Sequence, residues 1–245
     1  MENLEQKEID RYWSDGAENY SWIIDDELSS FRVKKWTKKI TENISSSQKP
    51  KILDAGCGPG FFTIILNQAC METVGIDGAE KMLQEARLKA ARLGLAPVFR
   101  KMDCHQLDFA DNTFDAVISR NLTHTLRDHK KVYKEWLRVL KPGGTLLIFD
   151  ANWHLTECDE KLRTESLKRR EECIRLYGDA FDKKSNLKDT EEHERKVGSH
   201  VLGDRKRPDW DMGLLQGIGY ENISCERSII EEMWDEKEKL LYGNT

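Results

Sequence analysis

"KILDAGCGPGFF", residues Lys51–Phe62, joins a short apolar strand to an apolar helix through a turn carrying three glycines, Gly56, Gly58 and Gly60. Glycine has no Cβ, so a ligand can approach the backbone of such a turn closely. The helix that follows, "FFTIILNQA", has free N–H groups in its first turn, and these face the same ligand. Asp54 closes the strand just ahead of the first glycine. Dinucleotide-binding turns space their glycines G-x-G-x-x-G, whereas the spacing here is G-x-G-x-G. The stretch reads as a binding turn for a nucleotide-like ligand, whose nature the neighbouring segments must decide.

In open nucleotide-binding sheets an acidic residue at the end of the next strand, about 20 residues on, holds ribose hydroxyls. "ETVGIDGAEKML" supplies Asp77 there, after the apolar run Val74–Ile76 and before a helix. A third strand, "PVFRKMD", ends at Asp103, and a fourth, "FDAVISRN", ends near Asn121. "VYKEWLRVLKPGGTLLIFDAN" then gives an amphipathic helix, a Pro-Gly-Gly turn and a fifth strand. Strands alternating with helices predict an α/β fold with a doubly wound, mostly parallel sheet.

These markers, in this order between about Tyr12 and Asp150, resemble the class I (Rossmann-like) S-adenosylmethionine-dependent methyltransferases of small-molecule type. The resemblance implies S-adenosyl-L-methionine as cofactor and S-adenosyl-L-homocysteine as product. It implies transfer of a methyl group to a N, O or C atom of a small metabolite by in-line displacement. By the same resemblance, the turn Gly56, Cys57, Gly58 and Gly60 passes under the methionine and ribose portions. Asp54 orients that turn or meets the amino group through water, and Asp77 accepts from both ribose hydroxyls. Gly78 and Met82 line the ribose and adenine edge, while Asp103 with the Cys104 backbone forms an adenine clamp. Arg120 lies where relatives contact the methionine portion. Tyr20 ends an "A-x-x-Y" pattern, Ala17–Tyr20, that folds over the cofactor carboxylate in relatives. Trp13 and Trp22 are candidates to help close that lid, and Phe61 and Phe62 read as core.

The acceptor side is expected at the C-terminal edges of strands four and five, where open parallel sheets bind ligands. "RNLTHT" and "FDANWH" stand there. His124 is the candidate general base, because an unperturbed imidazole titrates near neutrality. Asn121, Asn152, Trp153 and His154 are candidate substrate-wall residues, and the Trp153 ring face suits a cationic acceptor. "SRNL" replaces the "N-P-P-Y"-like tetrapeptide expected for methylation of protein amides or DNA amines. An S-adenosylmethionine-binding sensor or partner subunit without transferase activity is the alternative. A nicotinamide-dependent oxidoreductase is opposed by the glycine spacing and by "LKPGGTLLI". His154 and Cys158 stand one helical turn apart, but no second such pair lies nearby, so the site reads as metal-free.

Along the chain, residues 1–47 read as an N-terminal helical lid and 48–151 as the cofactor-binding core. Residues 152–203 read as a helical, substrate-side insertion with a poorly ordered middle around Asp182–Asp189. Residues 204–245 read as a helix, a Gly219 cap and a sixth strand that complete the core; a seventh strand has no evident place in "EEMWDEKEKLLYGNT". The formal charge of −5 comes wholly from Ala151–Thr245, where 17 Lys and Arg face 22 Asp and Glu. That balance argues against a nucleic-acid partner. No apolar run is long enough to span a membrane. The six cysteines show no paired spacing, and a disulfide at Cys57 would obstruct the turn, so a cytoplasmic protein with reduced thiols is expected. The oligomeric state is left open.

Overall fold

The computed structural model of the protein describes residues 2–44, 49–152, 159–178, 205–227 and 229–242. The chain divides into two compact units. One comprises Met1–Thr123 with Asp128–Asp150, the other His124–Arg127 with Ala151–Thr245.

The first unit opens with three helices, α1 (Glu2–Asp15), α2 (Ala17–Leu28) and α3 (Arg32–Glu42). There follow β1 (Lys51–Ala55), α4 (Phe61–Gln68), β2 (Glu72–Asp77), α5 (Glu80–Arg92), β3 (Val98–Lys101), β4 (Phe114–Arg120), α6 (His129–Val139) and β5 (Leu140–Phe149). All five strands pair in parallel, in the order β3-β2-β1-β4-β5. Ile52, Leu53, Ala55, Ala116, Val117 and Ile118 are fully buried, which is why β1 and β4 read as continuous apolar runs rather than alternating ones. The helices show the other periodicity. In α6, Val132, Tyr133, Trp136 and Val139 recur at helical spacing and are fully buried. Asp128 caps the same helix by accepting from Lys131 N at 2.9 Å.

The chain winds outward from β1 to β3, then returns to β4 on the other side of β1. Such a reversal leaves a crevice at the carboxyl ends of the two adjoining strands, the usual ligand position in an open α/β sheet. It falls between the β1–α4 glycine turn and the Arg120–Asn121 end of β4.

Two details differ from the sequence expectation. Pro142-Gly143-Gly144 is not a turn preceding the fifth strand but an interruption within it. Leu140 pairs with Phe114, whereas the next pairing is Thr145 with Ala116, so extra residues of β5 loop out. Gly143 takes φ +75, and a Cβ on Gly144 would meet the Asp115 carbonyl oxygen at 3.0 Å. Secondly, the expected sixth strand is absent among the described residues: residues 220–227 are irregular and mostly exposed. Asn222 adopts φ 54, which interrupts any extended run, and the segment offers no buried apolar face to hold one.

The second unit contains a short 3-10 turn begun in Thr123–Thr125, then α7 (Glu160–Tyr177), α8 (Asp209–Ile218), α9 (Ile229–Met233) and α10 (Glu236–Tyr242). The long helix expected in the 152–203 block is α7, capped by Asp159, which accepts from Lys161 N and Leu162 N. Helices α7 and α10 pack together: Cys173 is fully buried with its Sγ 3.7 Å from the Lys237 carbonyl, and Arg169 donates to the Leu241 carbonyl. Gly219 ends α8 in the left-handed conformation, φ 117, as a C-cap glycine does. The segment around Asp182–Asp189 lies outside the described residues. Described residues 205–242 thus group with α7 rather than adding a strand to the sheet.

Candidate functional site

The glycine turn owes its shape to three left-handed residues in five, Gly56 at φ 70, Gly58 at φ 51 and Gly60 at φ 90. A Cβ on Gly56 would lie 2.7 Å from Leu122 Cδ2, and one on Gly60 would lie 2.9 Å from the Ala86 Cβ. Backbone conformation and space both require glycine at these two positions. Cys57 is buried at the centre of the turn, with its N–H donating to the Ile76 carbonyl at 2.9 Å. Burial pushes its thiol well above the ordinary range.

Asp54 sits beneath the turn, 2 % exposed. One carboxylate oxygen, Oδ2, accepts from Thr63 N at 2.9 Å and from Thr63 Oγ1 at 2.6 Å. It fixes the start of α4. Asp77 at the end of β2 accepts from Gly58 N at 2.9 Å through Oδ2 and from Ala79 N at 2.8 Å through Oδ1. Burial raises Asp54 to about 7 and Asp77 to about 6 against these hydrogen bonds, and each is raised further by a neighbouring carboxylate. Neither carboxylate has an ion-pair partner among the described residues. The donor set fits a cofactor with an adenosine diol and cationic ammonium and sulfonium groups. A diol supplies hydroxyl donors to Asp77, and positive charge offsets the two buried acids.

Gly78 lies just ahead of α5, and Met82 lies in its first turn. Met82 is 2 % exposed and packs with Ala17 and Ala79, with Trp13 and Tyr20 against them. The Trp13 and Tyr20 rings meet edge to face, 6.1 Å apart. Tyr20 has its ionisation pushed up by burial, with Arg120, Glu27, Asn121 and Asp150 all close enough to act on it. Trp22, by contrast, is 61 % exposed. Phe61 and Phe62 are buried core residues.

Asp103 follows β3, and its Oδ1 accepts from His105 N at 2.8 Å and meets His105 Nδ1 at 2.6 Å. His105 Nε2 accepts from Asp128 N at 3.3 Å, which leaves the proton on Nδ1 to be donated to Asp103. Sequence reasoning passed over this histidine, although its place two residues after a strand-ending aspartate was the available signal. Cys104 is buried.

Arg120 departs most from a ligand-contacting role. Its guanidinium donates to Glu27 Oε1 at 2.5 Å and lies 5.0, 5.4 and 5.6 Å from the ring centres of Phe61, Trp36 and Phe62. This aromatic box and buried ion pair tie α2 to the end of β4. Glu27 stands 93 positions away, so nothing in the local sequence announced it. Asn121 adopts φ 52 and donates its N–H to the Phe149 carbonyl at 2.9 Å. Beside it Thr123 Oγ1 donates to Asp150 Oδ2 at 2.7 Å, and His129 Nε2 lies 2.6 Å from the Thr123 carbonyl.

His124 falls in the second unit and is half-buried in the 3-10 turn. Asn152 is in the same unit, where its side-chain amide brackets the backbone of Arg207: it donates to the Arg207 carbonyl at 3.1 Å and accepts from Arg207 N at 2.9 Å. Those bonds give Asn152 a structural duty that its position in "FDANWH" did not foretell. Trp153, His154 and Cys158 lie outside the described residues. Among the described residues no group of three or more His, Cys, Asp or Glu is arranged to hold a metal ion.

A five-stranded parallel sheet in this order, with a glycine turn after β1 and an acid after β2, defines a Rossmann-like site for an adenosine-containing ligand. The comparisons narrow that class. A family model described as a methyltransferase domain matches residues 53–148. Among curated proteins, the chain is 33% identical over 129 residues to a phosphatidylethanolamine N-methyltransferase of Cereibacter sphaeroides, covering 52% of this chain and 63% of that protein. It is 29% identical over 141 residues to phosphoethanolamine N-methyltransferase 3 of Arabidopsis thaliana, covering 57% and 29%. It is 32% identical over 128 residues to a demethylmenaquinone methyltransferase of Staphylococcus aureus (strain Newman), covering 51% and 53%. Matches to curated relatives thus span less than two thirds of those proteins. A solved structure assigned as an S-adenosyl-L-methionine-dependent methyltransferase of Methanococcus maripaludis shares the fold, with a TM-score of 0.53 at 23% identity, over 75% of this chain and 82% of that one. Residues 53–148 thus match a methyltransferase domain, carried on a Rossmann-like α/β fold.

Proposed function

We propose that the protein transfers a methyl group from S-adenosyl-L-methionine to a nitrogen, oxygen or carbon atom of a small metabolite. The observation that carries this reading is the pairing of Asp77 with the Gly58 N–H across the glycine turn, with Asp54 buried beneath it. The named acceptors of the relatives, among them phosphoethanolamine and demethylmenaquinone, support a small-molecule acceptor here.

When bound, the cofactor supplies a methyl group already activated on a sulfonium, with S-adenosyl-L-homocysteine as the leaving product. The chain's contribution is therefore grip and alignment rather than covalent chemistry. Asp77 takes the ribose diol, Asp103 and the Cys104 main chain take the adenine edge, and Tyr20 meets the cofactor carboxylate. Alignment of acceptor and methyl in a water-poor site lowers a bimolecular barrier by about 7–11 kcal/mol. On the sequence reading, His124 is the candidate to receive the acceptor's proton, and Asn121, Asn152, Trp153 and His154 are the candidate acceptor contacts. We read the protein as cytoplasmic, with a small-molecule rather than a nucleic-acid partner. In support, Cys57, Cys70, Cys104, Cys173 and Cys225 are free, and no described helix is long and apolar enough to cross a membrane.

The test is incubation of the full chain with S-adenosyl-L-methionine and a panel of small amines, phenols and carboxylic acids, read by mass spectrometry. A methylated panel member formed in step with S-adenosyl-L-homocysteine supports the proposal. Cofactor binding without turnover across the panel favours the sensor or partner-subunit reading instead.

A further inference from the structure

Gly78 carries an unexplained feature. Its backbone does not adopt a left-handed φ, yet there is no room for a side chain: a Cβ there would run into Asp10 Oδ1 and lie 3.1 Å from Asp10 Cγ and 3.5 Å from Asp10 Oδ2. Asp10 belongs to α1, a helix remote in sequence that packs on the start of α5. Its seat there is specific. Lys81 Nζ pairs with Asp15 at 3.6 Å, and Trp13 packs on the Ala17–Ala79–Met82 cluster. Gln6 Nε2 donates to Asp10 Oδ1 at 2.8 Å and so orients the carboxylate. Asp10 also acts on Asp77, raising its affinity for a proton, so the two carboxylates are within electrostatic reach of each other.

We propose that Asp10 is a second carboxylate of the ribose site, and that Asp77 and Asp10 each accept one hydroxyl of the cofactor's diol. This rests on the cofactor reading given above. Both Asp77 oxygens already accept a backbone N–H, one from Gly58 and one from Ala79. A second acceptor group therefore adds capacity where two adjacent donors arrive. Two carboxylates side by side repel, and a diol that donates to both replaces the repulsion with two charge-assisted hydrogen bonds. Cofactor binding and the seating of α1 are then linked, because a ligand that donates to both carboxylates stabilises the seat α1 already takes. Gly78 is glycine because the Asp10 carboxylate occupies the space of its side chain.

The experiment is isothermal titration of the full chain with S-adenosyl-L-homocysteine and with its 2′-deoxy and 3′-deoxy analogues. Wild type should lose about tenfold or more in affinity for each analogue, one loss tracing to each carboxylate. Asp10→Ala should bind the parent compound about tenfold more weakly and lose its penalty for one analogue while keeping the other. Gly78→Ala, which displaces Asp10 without removing it, should reproduce that pattern. Asp10→Ala with unchanged affinity and both penalties intact overturns the proposal while leaving the cofactor reading in place. Wild type that binds none of the three overturns the cofactor reading, and this proposal with it.

Discussion

The two compact units are built from different kinds of interaction. In the first, the decisive residues act through the backbone: glycines that permit left-handed conformations, and carboxylates that collect N–H groups at strand and helix ends. In the second, the organising contacts are long polar side chains that fold back on the main chain or on each other. Arg207 and Asp211, 7 % exposed each, pair at 2.6 and 3.0 Å, and Asn152 brackets the Arg207 backbone from 55 positions away. Backbone-driven sites leave a short-range trace in sequence, because only a few residue types tolerate the geometry. Side-chain pairings across long separations leave almost none.

The sharpest way to break this contrast is Asp77→Ala. One charge-assisted bond to the cofactor, worth about 1.5–3 kcal/mol, is at stake together with the Gly58 and Ala79 N–H bonds that hold the turn, so binding should fall below detection while circular dichroism stays native. Micromolar affinity in that variant would remove Asp77 from the site. Next in size is Arg207→Ala, which strands the Asp211 carboxylate in a buried position at a cost of about 3–5 kcal/mol. Proteolysis should then open the second unit, and equal protection of both units in variant and wild type would contradict the division of labour described here.

A smaller effect is expected at the unit carrying His124. His124→Ala should spare cofactor binding and slow turnover about a hundredfold if proton removal accompanies transfer. An unchanged kcat would return His124 to a structural role. The smallest effect is in the pH dependence of the ligand-free protein. Asp54 and Asp77 are raised in the folded state, to about 7 and about 6. Their stabilising contribution is thus complete below the unfolded carboxylate range and is lost as pH rises through 6 and 7. Asp54→Asn should flatten that fall in thermal midpoint between pH 5 and 8, and a wild-type midpoint that does not fall over this range would refute the assignment.

Legibility follows the kind of interaction rather than the unit. β1 to β5, the order of their connections and the acids at the ends of β2 and β3 were readable, because buried parallel strands are apolar runs and glycine turns are compositionally conspicuous. Thr63 as the partner of Asp54 was within reach, standing at the start of α4. Glu27 opposite Arg120 and Asp10 above Gly78 were not, since each joins elements far apart in the chain. The sixth strand failed for a local reason: "YENISCER" carries too little apolar alternation, and its Asn222 turns to positive φ. The Pro-Gly-Gly segment was correctly located but misread, because a bulge within a strand and a turn before one use the same residues.

The most direct test of the account is isothermal titration of the full chain with S-adenosyl-L-methionine and S-adenosyl-L-homocysteine, repeated with Asp77→Ala. Saturable binding of both by wild type, absent in the variant, is the predicted result. Binding of neither, or equal binding by wild type and variant, would contradict the claim that the glycine turn and Asp77 form the cofactor site.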